Sequence, residues 1–264
     1  MIYEDLKGKK VLVTGSSSGI GQATAIEFAK QGCFVGVHYF KTMQGGRDTL
    51  EQVKKFGDGI LLKADVRSQK QVNSMVKKFA DAADGIDVLV NNAGDLIDRQ
   101  PFETASAAYH DDIYQTNVRS IFFITQAALP FLKKSAGSPG VAQAKSGCII
   151  NVGSIAGHHG GGDGSGIYAG AKAAVATETI AMAKEFGKYG IRVNTVIPGL
   201  IETRFHQRYT SAERRAKVAK ETPLGRNGAA QDIAKAILFL ASSDAAGFIT
   251  GEYIAVNGGL YMRA

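Results

Sequence analysis

Two side chains four positions apart, Tyr168 and Lys172 in Tyr168-Ala169-Gly170-Ala171-Lys172, put a phenol and an ammonium on one helix face, about a turn apart. A free phenol has a pKa of about 10 and is a poor base near neutrality. A neighbouring ammonium favours the phenolate and makes the pair a group that can give and take a proton. The same spacing occurs on ordinary solvated helix faces, and alone it does not choose between the two. A second constellation lies near the start of the chain. Val11-Leu12-Val13 runs into Thr14-Gly15-Ser16-Ser17-Ser18-Gly19-Ile20-Gly21 and then into a helical segment bearing Ala23, Ile26 and Phe28. Glycines there allow a tight turn and a close approach of backbone to a pyrophosphate, and the helix start offers free N–H groups and a positive dipole end. Glycines also serve plain turns. The position after a first strand and before a helix is what favours the dinucleotide reading.

The elements that must position these groups are legible as short apolar runs. Val11-Leu12-Val13, Phe34-Val35-Gly36-Val37, Ile60-Leu61-Leu62, Val88-Leu89-Val90, Ile149-Ile150-Asn151-Val152, Val193-Asn194-Thr195-Val196-Ile197 and Tyr253-Ile254-Ala255-Val256 predict seven strands. They are continuously apolar rather than alternating, as parallel strands covered on both faces are. Between them lie helical periods. In 70–80, Val72, Met75, Val76 and Phe79 form one stripe, and in 231–241 Ile233, Ile237 and Leu240 share a face. Strands alternating with helices imply right-handed βαβ units: an α/β, doubly wound Rossmann fold with a seven-stranded parallel sheet. No linker interrupts residues 1–264, so a single domain is expected. Two stretches break the rhythm and predict loops: the small, polar 135–147, and 157–166, with six glycines around His158, His159 and Asp163.

Composition narrows the function. The chain is 45% hydrophobic and 21% charged, ordinary for a globular protein. Its formal charge of +7 is spread without a dense basic tract interleaved with aromatics, so no nucleic-acid partner is expected. No apolar run approaches the roughly 18 residues of a membrane span, and the N-terminus does not read as a secretory signal. Cys33 and Cys148 are not in a Cys-x-x-Cys pair and read as reduced core residues of a cytoplasmic protein. His158 and His159 lack a nearby ligand set, and no metal site is expected.

Taken together, the motifs resemble those of the short-chain dehydrogenase/reductase family over nearly the whole length. They are Thr14, Gly15, Gly19 and Gly21; Asn91-Asn92-Ala93-Gly94 after strand four; Asn117; Ser154 after strand five; Tyr168 with Lys172; Pro198-Gly199; and Val256-Asn257-Gly258-Gly259, in the family's order. The resemblance implies an NAD(P)(H)-dependent oxidoreductase that moves a hydride between nicotinamide and a secondary alcohol/ketone pair. Tyr168 would exchange the proton and Ser154 polarise the same oxygen. Lys172 would lower the Tyr168 pKa and hold the nicotinamide ribose, while Asn117 would position a proton-relaying water. Gly15, Ser17, Ser18, Gly19, Ile20, Gly21, Asn92, Ala93 and Gly94 would contact the cofactor, with Asp65 and Val66 at the adenine and Pro198, Gly199, Ile201 and Thr203 toward the carboxamide. The substrate would be a 3-oxoacyl thioester or, alternatively, a sugar, polyol or other secondary alcohol; a non-catalytic cofactor-binding protein is the reading from another class. Strand two ends at Tyr39 without the carboxylate of NAD-preferring members, and Lys41 or Arg47 with Ser16, Ser17 and Ser18 could meet a 2′-phosphate, so NADP is expected over NAD. Against this, Phe40 and Ser18 stand where NADP-preferring members often carry basic residues. Apolar positions on more than one face of 113–132 and 168–187 add the expectation of a homotetramer. A lid is expected near 200–226, where Arg204, Arg208, Arg214, Arg215, Lys217, Lys220 and Arg226 outnumber Glu202, Glu213 and Glu221. That excess reads either as attraction for an anionic or carrier-linked substrate or as a solvated helix.

Overall fold

Each of the seven apolar runs forms a strand, and all pair in parallel in the order β3-β2-β1-β4-β5-β6-β7. The computed structural model describes residues 3–136 and 147–262; most of the expected 135–147 loop lies outside the described residues. In chain order the elements are β1(Lys10–Val13), α1(Gly19–Lys30), β2(Phe34–Tyr39), α2(Met43–Lys54), β3(Asp58–Lys63), α3(Gln69–Ala83), β4(Val88–Asn91) and α4(Ala107–Tyr114). There follow a π-helical turn (Gln115–Arg119), α5(Ser120–Ala136), β5(Gly147–Val152), α6(Ala156–His159), α7(Gly166–Phe186), β6(Ile191–Pro198), α8(Arg204–Tyr209), α9(Ala212–Glu221), α10(Ala230–Ala241), α11(Ser243–Ala246) and β7(Tyr253–Val256).

Helices cover both faces of the sheet and bury two apolar clusters. On one face α1 and α10 pack together, with Phe28, Ile233, Ile237 and Leu240 against Val11, Val13 and Val90. On the other, α3 and α5 bring Val72, Met75, Val76 and Phe79 against Leu12 and Leu89. Each such side chain, fully buried, contributes about 1.5–3 kcal/mol. The predicted stripe of α3 is therefore the core face. Cys33 and Cys148 are buried free thiols, and burial pushes the Cys33 thiol up to about 12.

Two expectations are refined. The 113–132 segment is not one regular helix, because a π-turn at 115–119 separates α4 from α5. The 157–166 segment is not a bare loop. It begins as the short helix α6, and Ser165 closes it by donating to the Gly162 carbonyl (2.7 Å) and accepting from the Gly162 N–H (2.9 Å). Among the described residues no helix is long and apolar enough to cross a membrane.

The strand order reverses direction between β1 and β4, and open α/β sheets bind ligands at the carboxyl ends beside such a switch point. Beneath it runs a buried polar chain across the sheet. Asn91 Nδ2 donates to Asn151 Oδ1 (2.9 Å), Asn151 Nδ2 to Thr179 Oγ1 (2.8 Å), and Thr179 and Thr195 share a 2.7 Å hydroxyl contact. These side chains tie β4, β5, α7 and β6 together directly under the site.

Candidate active site

The turns after β1 and β4 are one knot. Thr14 Oγ1 accepts from the N–H groups of Asn92 (3.0 Å) and Ala93 (3.1 Å), and Asn92 Nδ2 donates back to the Thr14 carbonyl (2.9 Å). Gly15 sits at φ +64°, and a Cβ there would meet Ala93 Cα at 2.9 Å, so glycine is required both for conformation and for space. Ser18 precedes α1 in extended conformation and makes no side-chain cap, which leaves the first helical N–H groups, from Gly19 to Gly21, for an anion. The turn therefore fits a dinucleotide pyrophosphate. Gly15, Ser18, Gly19, Ile20, Asn92, Ala93 and Gly94 line a cleft of about 490 Å³, while Ser17 lies in the turn outside that lining and Gly21 is buried behind it. Ser16 does not serve as expected: it is fully buried, and its hydroxyl donates to the Val13 carbonyl (2.8 Å) and accepts from the His38 N–H (2.8 Å).

His38 is a residue that sequence reasoning missed. The Gly15 N–H donates to its Nδ1 (2.8 Å), and its Nε2 lies 3.1 Å from the Ala64 carbonyl. The one arrangement that satisfies both is a neutral ring with Nε2–H donating and Nδ1 accepting. Burial holds its pKa below the usual value. The only available signal was a histidine inside an otherwise apolar strand.

Tyr39, Lys41, Asp65 and Val66 lie at the ends of β2 and β3, outside the lining of the catalytic cleft. Tyr39 is largely buried, Lys41 is exposed with its ammonium 5.7 Å from the Phe40 ring centre, and Val66 is mostly buried. The Asp65 carboxylate is gripped by Arg67, with Nη2 at 2.8 Å and Nε at 3.1 and 3.2 Å, which holds it below the usual carboxylate range.

At the other side of the cleft, β5 delivers Ser154 and the first turns of α7 deliver Tyr168 and Lys172. The Ser154 hydroxyl hydrogen-bonds to the phenol oxygen, which favours the phenolate, but burial outweighs it and pushes the Tyr168 pKa up. The expected lowering by Lys172 is not found: burial and the Asp95 charge raise the phenol, only Ser154 lowers it, and burial brings Lys172 itself down to about 8. At neutral pH Tyr168 is a phenol, the form that donates a proton. Lys172 Nζ donates to the Val152 carbonyl (2.9 Å) and lies 5.7 Å from the Tyr168 ring centre. A Cβ on Gly94 would fall 2.7 Å from Asn117 Oδ1 and 3.3 Å from Lys172 Nζ, so only a glycine lets these two groups approach the turn.

Asn117 comes from the π-turn, a distortion frequent at functional sites. Its Nδ2 donates to the carbonyls of Asp95 (2.8 Å) and Ile113 (2.9 Å), and its Oδ1 accepts from the Asp95 N–H (3.2 Å). The amide hydrogens are thus used in bracing the chain after β4. Only the oxygen's second lone pair, toward Gly94 and Lys172, is left for a water.

Pro198 at the end of β6 and Gly199, Ile201 and Thr203 after it run along the cleft wall, and α8 and α9 cover its mouth. The cover is latched: Tyr209 Oη donates to Asp95 Oδ1 (2.9 Å), and Arg99 donates to the carbonyls of Tyr209 (2.9 Å) and Asp163 (2.6 Å). Phe205 lies 6.1 Å from Tyr168, ring to ring. His159 lines the cleft, whereas His158 stacks on Tyr261 at 5.7 Å. Among the described residues no group of three His, Cys, Asp or Glu is placed to hold a metal.

The chain resembles known proteins over nearly its whole length. Residues 15–261 match the profile of a family described as enoyl-(acyl carrier protein) reductase. The chain is 38% identical to the 3-oxoacyl-(acyl-carrier-protein) reductase FabG of Vibrio cholerae, covering 98% of this chain and 99% of that one. It is 35% identical to the reductase of the same name from Staphylococcus aureus, covering 96% and 98%. Among solved structures, the NADH-dependent reductase A1-R′ responsible for alginate metabolism superposes with a TM-score of 0.89 at 37% identity, over 99% of this chain and 100% of that one. The same reductase complexed with NAD gives 0.84 at 37% identity, over 98% and 99%. The chain belongs to the short-chain dehydrogenase/reductase family, the NAD(P)-dependent oxidoreductases that act on alcohol and carbonyl groups.

Proposed function

We propose that this enzyme reduces the ketone of a 3-oxoacyl thioester carried on an acyl carrier, using NADP(H) in preference to NAD(H). The observation that carries the reading is the Ser154–Tyr168 hydroxyl pair beside Lys172, in a cleft continuous with the glycine turn. A nicotinamide cofactor supplies the hydride, and this chain supplies alignment and proton transfer. Gly15, Ser18 to Gly21 and Asn92 to Gly94 would hold its phosphates and ribose, and Pro198, Gly199, Ile201 and Thr203 its carboxamide end. Ser154 donates to the carbonyl oxygen and stabilises the charge that grows there, while Tyr168 delivers its phenolic proton to the same oxygen. The ammonium of Lys172 stabilises the phenolate left behind. Asn117 holds the turn after β4 in place and offers one lone pair to a relaying water. The thioester is favoured because the Vibrio cholerae and Staphylococcus aureus proteins, matched over 99% and 98% of their length, are named as 3-oxoacyl-carrier reductases.

A second reading, reduction of a small acidic sugar carbonyl, is favoured by Arg99 and Arg214 at the cleft and by the likeness to the alginate-metabolism reductase. Consumption of NADPH and NADH over a panel of 3-oxoacyl thioesters, keto sugar acids and neutral polyols tests both. Turnover of the thioesters with the highest kcat/KM supports the main reading, a preference for sugar acids replaces it with the second, and cofactor binding with silence on every carbonyl overturns both.

The protein is further proposed to work in the cytoplasm as a homotetramer. Exposed Phe122 and half-buried Phe123 and Leu129 on α5, with half-buried Ile180 and Met182 on α7, leave apolar surface that a subunit interface would bury. Light scattering at micromolar concentration should return a tetramer, and a monomer would end this part of the proposal.

A further inference from the structure

The basic residues over the cleft divide into those paired within the fold and the cleft-lining Arg99, Arg204 and Arg214, which pair with no carboxylate among the described residues. Of these, Arg99 and Arg214 both meet the 162–163 turn. Arg208 pairs with Asp95 (3.5 Å), Arg215 with Glu202 (3.3 Å), Lys217 with Glu221 (3.7 Å) and Arg226 with Asp232 (2.7 Å), so these neutralise charge within the fold. Arg214 forms no hydrogen bond or ion pair through its side chain among the described residues, yet it lines the cleft. Its Nη2 lies 3.4 Å from where a Cβ on Gly162 would stand, against the glycine-rich segment that faces Tyr168. Arg99 lines the same cleft from the segment after β4. Two backbone carbonyls take two of its five N–H groups, at Tyr209 and Asp163, and fix the guanidinium while its remaining donors stay open. No carboxylate pairs with Arg99 among the described residues. His206, also in the lining, is kept neutral by burial and adds no charge of its own.

We infer that Arg99 and Arg214 form an oxyanion-recognition site at the mouth of the cleft, which holds an anionic group borne by the carbonyl substrate. The inference rests on the reductase reading and adds what that site selects. A guanidinium already held in place loses little side-chain entropy on binding, and its planar fork matches a carboxylate or a phosphate. Both arginines are exposed, so neutral polyols and ketones leave them to water and gain nothing from them. The anion is either the phosphate of a pantetheine arm or the carboxylate of a small keto acid. The chemistry is shared, and substrate pairs separate the sources.

Two matched pairs test it with the full-length enzyme: acetoacetyl-phosphopantetheine against acetoacetyl-N-acetylcysteamine, and a keto sugar acid against its methyl ester. The expected result is a kcat/KM at least tenfold higher for the anionic member of one pair, carried by KM and weakened by salt. Discrimination in the thioester pair assigns the phosphate, and in the acid pair the carboxylate. The anionic-to-neutral ratio should fall about tenfold in Arg214→Gln, fall likewise in Arg99→Gln, and partly recover in Arg214→Lys. Turnover of both pairs without discrimination, or a ratio unchanged in both Gln variants, overturns the site and leaves the reductase reading standing. Absence of turnover with every carbonyl overturns the reductase reading, and the site with it.

Discussion

The backbone N–H of Gly15 donates to Nδ1 of His38 across 2.8 Å, so the glycine turn that faces the cofactor hangs on a buried imidazole of the neighbouring strand. With Nε2 at the Ala64 carbonyl, the ring joins the ends of β1, β2 and β3. Protonation would replace the acceptor with a donor facing an N–H.

His38→Leu should therefore loosen the turn, leaving a buried N–H unpaired at a cost of about 1–3 kcal/mol in stability. Affinity for NAD(P)H should fall about tenfold, the factor that 1.4 kcal/mol carries. His38→Asn, which keeps an acceptor near Nδ1, should recover part of both. Fluorescence titration of the cofactor and thermal melts measure this. The folded-state pKa lies below the ordinary 6.5 of histidine, so the stabilising neutral form is fully present above that value. Stability should decline as pH falls from about 6.5 toward the lowered folded value, because the unfolded chain takes up a proton that the fold does not. Cofactor affinity should fall only at the lower pH where the folded imidazole itself protonates. The Asp65 carboxylate favours the charged ring and softens the decline, being itself engaged by Arg67. Equal affinity in wild type and His38→Leu would remove His38 from the cofactor site.

Burial displaces the pKa values of Tyr168 and Lys172 in opposite directions, and this sets the expected pH profile of reduction. Burial keeps Tyr168 protonated and brings Lys172 down to about 8. As pH rises through about 8 the ammonium that stabilises the nascent phenolate is lost, so kcat for reduction should fall on the alkaline side. Tyr168→Phe should lower kcat by about 10²–10⁴-fold with cofactor affinity nearly intact, since general acids typically supply that factor. Lys172→Ala should lower both and abolish the alkaline limb. A Tyr168→Phe enzyme with near-normal turnover would show that the proton comes from elsewhere.

What the sequence made legible were features written locally. Seven apolar runs read as parallel strands, although the edge runs that became β3 and β7 are only partly covered, and the stripe Val72, Met75, Val76, Phe79 reads as a core face. Neighbours in sequence also announce Gly15 and Gly19 as a turn, and Tyr168 and Lys172 as a pair. Contacts made at long range were not legible. Asp95 meets Tyr209 across 114 positions and Gly15 meets His38 across 23, and no period encodes either. The π-turn around Asn117 was hidden because one extra residue per turn leaves the apolar pattern of 113–132 nearly unchanged. Ser16 was misjudged for the same reason: a hydroxyl in a glycine turn reads as a ligand until the Val13 carbonyl and the His38 N–H are seen to occupy it. The balance at Tyr168 depends on burial, which spacing does not report.

Asn151 joins the sheet to α7, accepting from Asn91 and donating to Thr179. It is fully buried, directly beneath the segment that carries Ser154. Asn151→Ala should leave at least one polar partner unsatisfied and cost about 1–3 kcal/mol, read as a lower urea midpoint with unchanged m-value. Turnover should fall further than cofactor affinity, because the displaced element is β5 rather than β1. A variant with wild-type stability would show that water replaces the side chain.

Cofactor choice turns on the ends of β2 and β3. Tyr39 closes β2 where a carboxylate would repel a 2′-phosphate, and its largely buried ring packs beneath Gly46 of α2. Lys41 is exposed, and its ammonium, lying over Phe40, is the cation at hand for that phosphate, with Arg47 one helix turn on. Ser16 is excluded because its hydroxyl serves the fold, which leaves Ser17 and Ser18 as hydroxyl donors. An exposed ion pair in water is worth about 1 kcal/mol at contact. The expected preference for NADPH over NADH is therefore moderate, about tenfold in kcat/KM. Lys41→Ala should bring the ratio near unity by raising KM for NADPH alone, and added salt should do the same in the wild type. A wild type that favours NADH, as the reductase A1-R′ is described to do, would assign the 2′-hydroxyl rather than a phosphate to this pocket. An unchanged ratio in Lys41→Ala would move the contact to Arg47.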